Sequence, residues 1–104
     1  MTTFDDREKA FENKFAHDEE MRFRAEARCN KLLGLWAAAQ LGKAGAEAEA
    51  YALDVCKVDF HQPGHEDVIA KVTQDLGERA GTDAVRTKRA ALLLEAQQQI
   101  LAES

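Results

Sequence analysis

Glycine and proline are both missing from the first thirty-three residues, and the whole chain of 104 holds only one proline and six glycines. Nothing in that opening stretch breaks a helix, and so little proline and glycine does not fit a turn-rich β-sandwich. Aromatics amount to 7%, five of them phenylalanine, so large core side chains are scarce. No apolar run approaches the roughly 18 residues that a membrane span needs, which excludes direct membrane insertion by a helix. The start, Met1-Thr2-Thr3-Phe4-Asp5-Asp6, is acidic where a secretory leader is basic and then apolar. Cys29 and Cys56 form no spaced motif and are expected to stay reduced in a cytoplasmic protein. A formal net charge of −5 speaks against nucleic acid, whose binding depends on neutralising phosphates.

What is present is helical pattern. The length fits one domain with a single modest core. Thr3 is placed to cap a first helix, with Asp5 and Asp6 near the positive end of its dipole. Asp5 and Lys9, Asp18 and Arg22, and Glu20 and Arg24 recur at a spacing of four, each exposed pair contributing about 0.2–0.5 kcal/mol. From Arg28 an apolar stripe begins, with Cys29, Leu32, Leu33, Trp36, Ala37 and Leu41, and Gly42 and Gly45 end the helix. A second helix is expected over Ala46–Val58, with Tyr51, Leu53, Val55 and Val58 as core positions. Phe60-His61-Gln62-Pro63-Gly64 reads as a turn. Glu66 and Asp67 open a third helix whose Val68, Ile69, Val72 and Leu76 share a face, with Gly77 weakening its end and Gly81 closing it. Thr82 caps the last helix, where Val85, Leu92, Leu93, Ala96 and Ile100 share a side. No long stretch alternates with period two. The expectation is an all-α fold, an antiparallel four-helix bundle over residues 19–104, preceded by a segment 1–18 that protrudes or is disordered.

The length of the first helix carries the functional reading. From about Phe4 to Leu41 it would run roughly 55 Å, against about 20 to 30 Å for its partners. Phe4, Phe11 and Phe15 project within about 40° of one another. A phenylalanine stripe at helical spacing lies in a core more often than in a docking surface. The surrounding charge and the length mismatch lower the weight of that reading and leave open the alternative, a stripe that enters a groove of another protein. Burying one phenylalanine contributes roughly 1.5–3 kcal/mol, while Arg7, Glu8, Lys9, Glu12 and Lys14 around it would set register and partner.

Three stretches carry a family resemblance: Phe11-Glu12-Asn13-Lys14-Phe15-Ala16, Arg28-Cys29-Asn30-Lys31-Leu32-Leu33-Gly34-Leu35-Trp36-Ala37-Ala38, and Pro63-Gly64-His65-Glu66-Asp67-Val68. In order and over essentially the whole chain, these resemble the zeta subunit of the alphaproteobacterial F-type ATP synthase. The resemblance implies a four-helix inhibitor of ATP hydrolysis, monomeric when free and cytoplasmic, held peripherally at the inner membrane through the synthase. It implies insertion of residues 1–18 at a catalytic interface between the alpha and beta subunits, close to gamma. It also implies that the bundle binds ADP or ATP as a regulatory ligand. Two positions depart from the family pattern: Cys29, where relatives have an arginine, and His65, where they tend to have an acid. Either departure bears on ligand chemistry or pH response.

The residues themselves hold no nucleotide signature. Gly42-Lys43-Ala44-Gly45 lacks the spacing and the Lys-Ser/Thr ending of a phosphate loop. Arg24, Arg28, Lys31, Arg86 and Arg89 are the candidate ADP or ATP contacts, beside Arg22 and Lys88, although such residues more commonly form a salt-bridged surface. The free N–H groups at the start of the last helix, near Thr82, are a further phosphate candidate. Trp36 is expected in the core, with base stacking as the alternative. His61 and His65 straddle Pro63-Gly64, so helical ligand geometry is lost and no metal site is expected. His17 is an ordinary surface histidine or a pH-sensitive hinge. No nucleophile–base set appears, so catalysis is not expected. The alternative to an inhibitor is a stand-alone nucleotide-binding or stress-sensing module with the first helix as its lid.

Overall fold

A helix over Glu19–Gln40 (α1) carries two rows of buried side chains, each repeating every four residues. Met21, Ala25, Cys29, Leu33 and Ala37 form one row; Asn30, Gly34 and Ala38 form the other. Two rows give one helix two neighbours, because residues four apart stack on one side of it. The remaining helices are α2 (Ala46–Val58), α3 (Glu66–Leu76) and α4 (Thr82–Glu103), with a 3-10 turn at Gly77–Arg79. The computed structural model describes residues 19–58 and 66–103, and among them there is no strand. Its four helices are those expected, α2 with the expected bounds and α3 with the expected start but an earlier end, at Leu76. The cap at Thr3, the Asp5–Lys9 and Asp18–Arg22 pairs, His17 and the turn at Phe60–Gly64 lie outside the described residues, as does the first part of the long helix.

The end of α1 is fixed by backbone chemistry. Gly42 takes a φ of 78°, and the N–H groups of Gly42 and Lys43 donate back to the carbonyls of Ala39 (3.1 Å) and Ala38 (2.9 Å). That pair of bonds satisfies carbonyls the helix cannot satisfy itself. Gly77 takes a φ of 59° directly after α3, so this glycine, rather than Gly81, ends the α-helix. The carbonyl of Gly81 accepts from Val85 N–H at 3.1 Å, which puts the α4 cap one residue before Thr82.

The first row of α1 faces α4, and the two helices run antiparallel. Cys29 Sγ donates to the Arg89 carbonyl at 3.5 Å, and Met21 and Ala25 pack with Ile100. The second row faces α2. A Cβ built on Gly34 would stand 2.6 Å from the Ala52 Cα and 3.1 Å from its Cβ. Gly34 and Ala52 lie equally far from the connecting turn, as antiparallel neighbours do. α3 packs across α2 and α4, adding Val68, Ile69, Val72 and Leu76 to the main core.

Burial corrects two positions. Leu53, expected in the core, is 55% exposed, because it sits two residues from buried Val55 and so about 160° around the helix. Ala52 occupies the buried face instead. Val58 is half-buried, and Cys29 is fully buried, so this departure from the family pattern serves packing.

Gly34→Ala should lower the unfolding free energy by about 1–3 kcal/mol, the usual range for overpacking. The sign is decided by the clash with backbone, which outweighs the ~1 kcal/mol that alanine gains over glycine in a free helix. Urea denaturation of the full chain measures it. An unchanged or raised midpoint would mean that α1 and α2 are not held this close.

Candidate functional site

The expected partner-binding residues Phe4, Arg7, Glu8, Lys9, Phe11, Glu12, Lys14 and Phe15 lie outside the described residues, as do His61 and His65. Among the described residues no group of three metal-ligating side chains comes together. The five cationic candidates are all placed. They do not converge on one site.

Three of the five are engaged in separate ion pairs between helices. Arg28 on α1 forks onto Glu103 at the end of α4, at 2.7 and 2.9 Å, and its Nη1 also donates to Gln99 at 2.9 Å. Arg86 near the start of α4 forks onto Glu66 at the start of α3, at 2.6 and 2.8 Å. Arg89, with a side chain only 5% exposed, reaches Glu26 on α1 at 2.5 Å. Arg86 and Gln99 are about 20 Å apart along α4. The bond from Arg28 holds the Glu103 carboxyl below the usual carboxylate range, with Arg24 adding to the effect, and Glu103 in turn pushes Arg28 up. Arg24 and Lys31 are exposed on α1, Lys31 at a groove with Leu53 and Cys56 of α2.

Two other arrangements emerge that spacing alone did not assemble. Trp36 is half-buried against the core, and the Lys88 ammonium lies 5.9 Å from its ring centroid. An open cleft of about 460 Å³ is lined by both, with Asp83, Ala84, Thr87 and Ala91. A helical repeat does place Trp36 on α1 and Lys88 on α4, but only antiparallel pairing brings them level. On the far side of α2, the Tyr51 hydroxyl donates to Asp75 Oδ2 at 2.8 Å. Lys71 donates to the same oxygen at 3.0 Å and sits 5.4 Å over the tyrosine ring. This network ties α2 to α3 beside a cavity of about 480 Å³ that also includes Lys43, Glu47 and Asp54. Its mixture of both charges gives an anion no clear cradle.

A family model described as ATPase inhibitor subunit zeta matches residues 1–99 of the chain. A solved solution NMR structure is 50% identical, with a TM-score of 0.74, over 81% of this chain and 99% of that one. A search of curated proteins finds no match.

Tyr51 is the one tyrosine of the chain, so its ionisation can be followed directly by phenolate absorbance. Burial, then the bond to Asp75 and the charges of Asp75 and Asp54, push its phenol well above the ordinary 10.0. A group whose folded value is raised contributes stability that is complete below the unfolded value and lost as pH climbs through the folded one. The phenol should therefore stay protonated above pH ~10 until the protein unfolds, and Asp75→Asn should bring ionisation to lower pH. A phenolate forming near pH 10 in the folded chain would contradict the network.

Proposed function

Because the chain belongs to the ATPase inhibitor subunit zeta family, we propose that it restrains ATP hydrolysis by the catalytic head of the F-type ATP synthase through insertion of its amino-terminal segment. The family match carries this reading, since it runs from residue 1 and so takes in the segment with Phe4, Phe11 and Phe15. The fold supports it. The described helices supply a continuous core of their own, from Cys29 on α1 to Ala96 on α4. A body that closes its own core can serve as an anchor, leaving a charged segment with a narrow apolar stripe for a partner's groove.

Insertion between the alpha and beta subunits, near gamma, blocks the opening and closing that catalysis requires. Such a blocker needs no catalytic residue. Phe11, Lys14 and Phe15 carry the largest share of the grip, and Phe4 leads. Among the described residues no helix is long and apolar enough to cross a membrane, and the protein reaches the inner membrane through the synthase. In this reading it acts in the cytoplasm as a monomer when free.

A nucleotide, where the body binds one, fits the Trp36 cleft better than the five arginines and lysines first considered. Arg28, Arg86 and Arg89 already hold carboxylates. The cleft offers an aromatic face, the Lys88 ammonium and the start of α4, where N–H groups lack helical partners. ADP or ATP would place its base on Trp36 and its phosphates toward Lys88. Titration with ADP should then move the Trp36 indole and the amides of Asp83–Ala91 in NMR spectra, and Lys88→Gln should weaken binding. Shifts centred on Arg24, Arg28 and Lys31 would place the nucleotide elsewhere.

The inhibitory reading is tested with a pair of proteins, the full chain and one lacking the residues before His17. Added to purified cognate ATPase, the full chain should suppress hydrolysis and the truncated one should not, with the body's thermal unfolding nearly unchanged. Phe11→Ala with Phe15→Ala in the full chain should weaken inhibition by a factor of about 100 or more, from roughly 1.5–3 kcal/mol per phenylalanine. Equal inhibition by the full and truncated chains would place the inhibitory surface in the body instead.

A further inference from the structure

The four-helix body does not cover the full length of its two long helices. At 1.5 Å per residue α1 and α4 each run about 33 Å, α2 about 20 Å and α3 about 17 Å. With Gly34 beside Ala52, antiparallel pairing brings the last residue of α2, Val58, level with Arg28. Beyond that level the described part of α1 is accompanied chiefly by α4. The two bury a second cluster there, Met21, Ala25 and Ile100 with Leu101 against it, separate from the main core. Arg28 stands at the junction and forks onto Glu103, in the last turn of α4, while also holding Gln99.

We infer that these helix ends, Glu19–Ala25 of α1 and the last two turns of α4, open and close as a unit separate from the body, which begins at the Glu26–Arg89 pair, with the Arg28–Glu103 fork as the unit's catch. The unit's core is three buried side chains, one of them an alanine, where the body's core draws on four helices. Segments with few buried apolar contacts open at lower free energy than the global fold. The fork crosses the final turn of α4, whose carbonyls have no partners further along the helix, so it restrains the place most prone to fray. Both ends of the fork are half-exposed, with side chains 30% and 45% accessible. The catch therefore holds by geometry more than by depth. Glu19–Ala25 follows directly on residues 1–18, so release adds about 10 Å of helix to the segment that enters the partner. This last step rests on the inhibitory reading, whereas the separate unit and its catch do not.

Amide hydrogen exchange on the full chain tests the catch. Amides of Arg22–Ala25 and Gln97–Glu103 should exchange faster than those of Leu33–Ala38 and Tyr51–Val55. Arg28→Gln and Glu103→Gln should each speed exchange in the first set by about threefold to tenfold, leaving the second set and the thermal midpoint unchanged. Arg86→Gln removes a similar exposed fork in the body and should leave the unit untouched. Equal exchange in both sets, or an Arg28→Gln effect spread evenly over them, would overturn the inference. In a hydrolysis assay Arg28→Gln should lower the half-inhibitory concentration by a similar factor. Unchanged inhibition beside faster exchange would remove the link to insertion. If the unaltered chain fails to inhibit, the inhibitory reading fails, and exchange alone decides the catch.

Discussion

The distance between Gly34 and Ala52 governs the architecture. At 2.6 Å from a built Cβ to the Ala52 Cα, α1 and α2 approach as closely as two helices can when one position has no side chain. Buried small residues continue the theme, with Ala25, Ala37 and Ala38 on α1, Ala52 on α2 and Ala96 on α4. Each large side chain lost from such an interface gives up buried area, but close backbones recover dispersion over many atom pairs. This explains how a chain with few aromatics still forms a continuous core. It also makes α1 the axis, since its two rows must satisfy two neighbours at once. α3 then closes the remaining side with Val68, Ile69, Val72 and Leu76, the largest block of branched side chains in the core.

Charge plays a different part. Three of the ion pairs lie around this core and join different helices: Glu26 with Arg89, Glu66 with Arg86, Arg28 with Glu103. Exposed pairs contribute little free energy, with a median near 0–1 kcal/mol. Their geometry nevertheless fixes register, because a forked guanidinium accepts a narrow range of carboxylate positions. Arg89 is the exception in depth. Its side chain is almost wholly buried while Glu26 stays in contact with water, so the carboxylate remains partly solvated as it neutralises the arginine. Removing Glu26 would strand a buried charge; removing Arg89 would leave a carboxylate that water can serve.

Helix position and length were largely legible in the sequence, because glycine and proline punctuate it and because apolar residues recur at three and four. α2 follows its expected bounds and α3 its expected start for that reason, while Gly77 ends α3 before Gly81 can. The face that each helix buries was less legible. Leu53 reads as core by hydrophobicity and is exposed, while Ala52 beside it is buried, because the close approach at Gly34 selects the smaller residue. Gly34 itself carried a signal, an isolated glycine inside a helical pattern, which marks either a weak point or a close contact. Which of the two it is depends on what lies opposite. Tertiary pairing also decides the arginines. Arg28, Arg86 and Arg89 look equivalent as basic residues on helices, yet each has a different carboxylate and a different burial. The proposed inhibitory role of residues 1–18, which lie outside the described residues, rests on the phenylalanine spacing and the family.

An inhibitor that works by occupying space has to satisfy two opposed demands. Its anchor must resist the force of a turning machine, so the body needs an interior that does not yield. Its inserted part must first reach the groove, so it cannot be fully committed to the body's own packing. The α1 helix meets both demands along its length by a change of neighbours. From Cys29 onward it is packed by α4 and, at Gly34, by α2 at backbone contact, where a methyl group would clash. Before Glu26, whose carboxylate holds the buried Arg89, the apolar contacts of α1 rest on a few side chains, with one exposed fork at Arg28 beside them. The packing of the described helix thus thins toward residue 19, with no proline or glycine before Gly34 to mark a hinge. Under the proposed insertion, a helix graded in this way would transmit force to the body once seated, and before seating its end could leave α4 while the body stays intact.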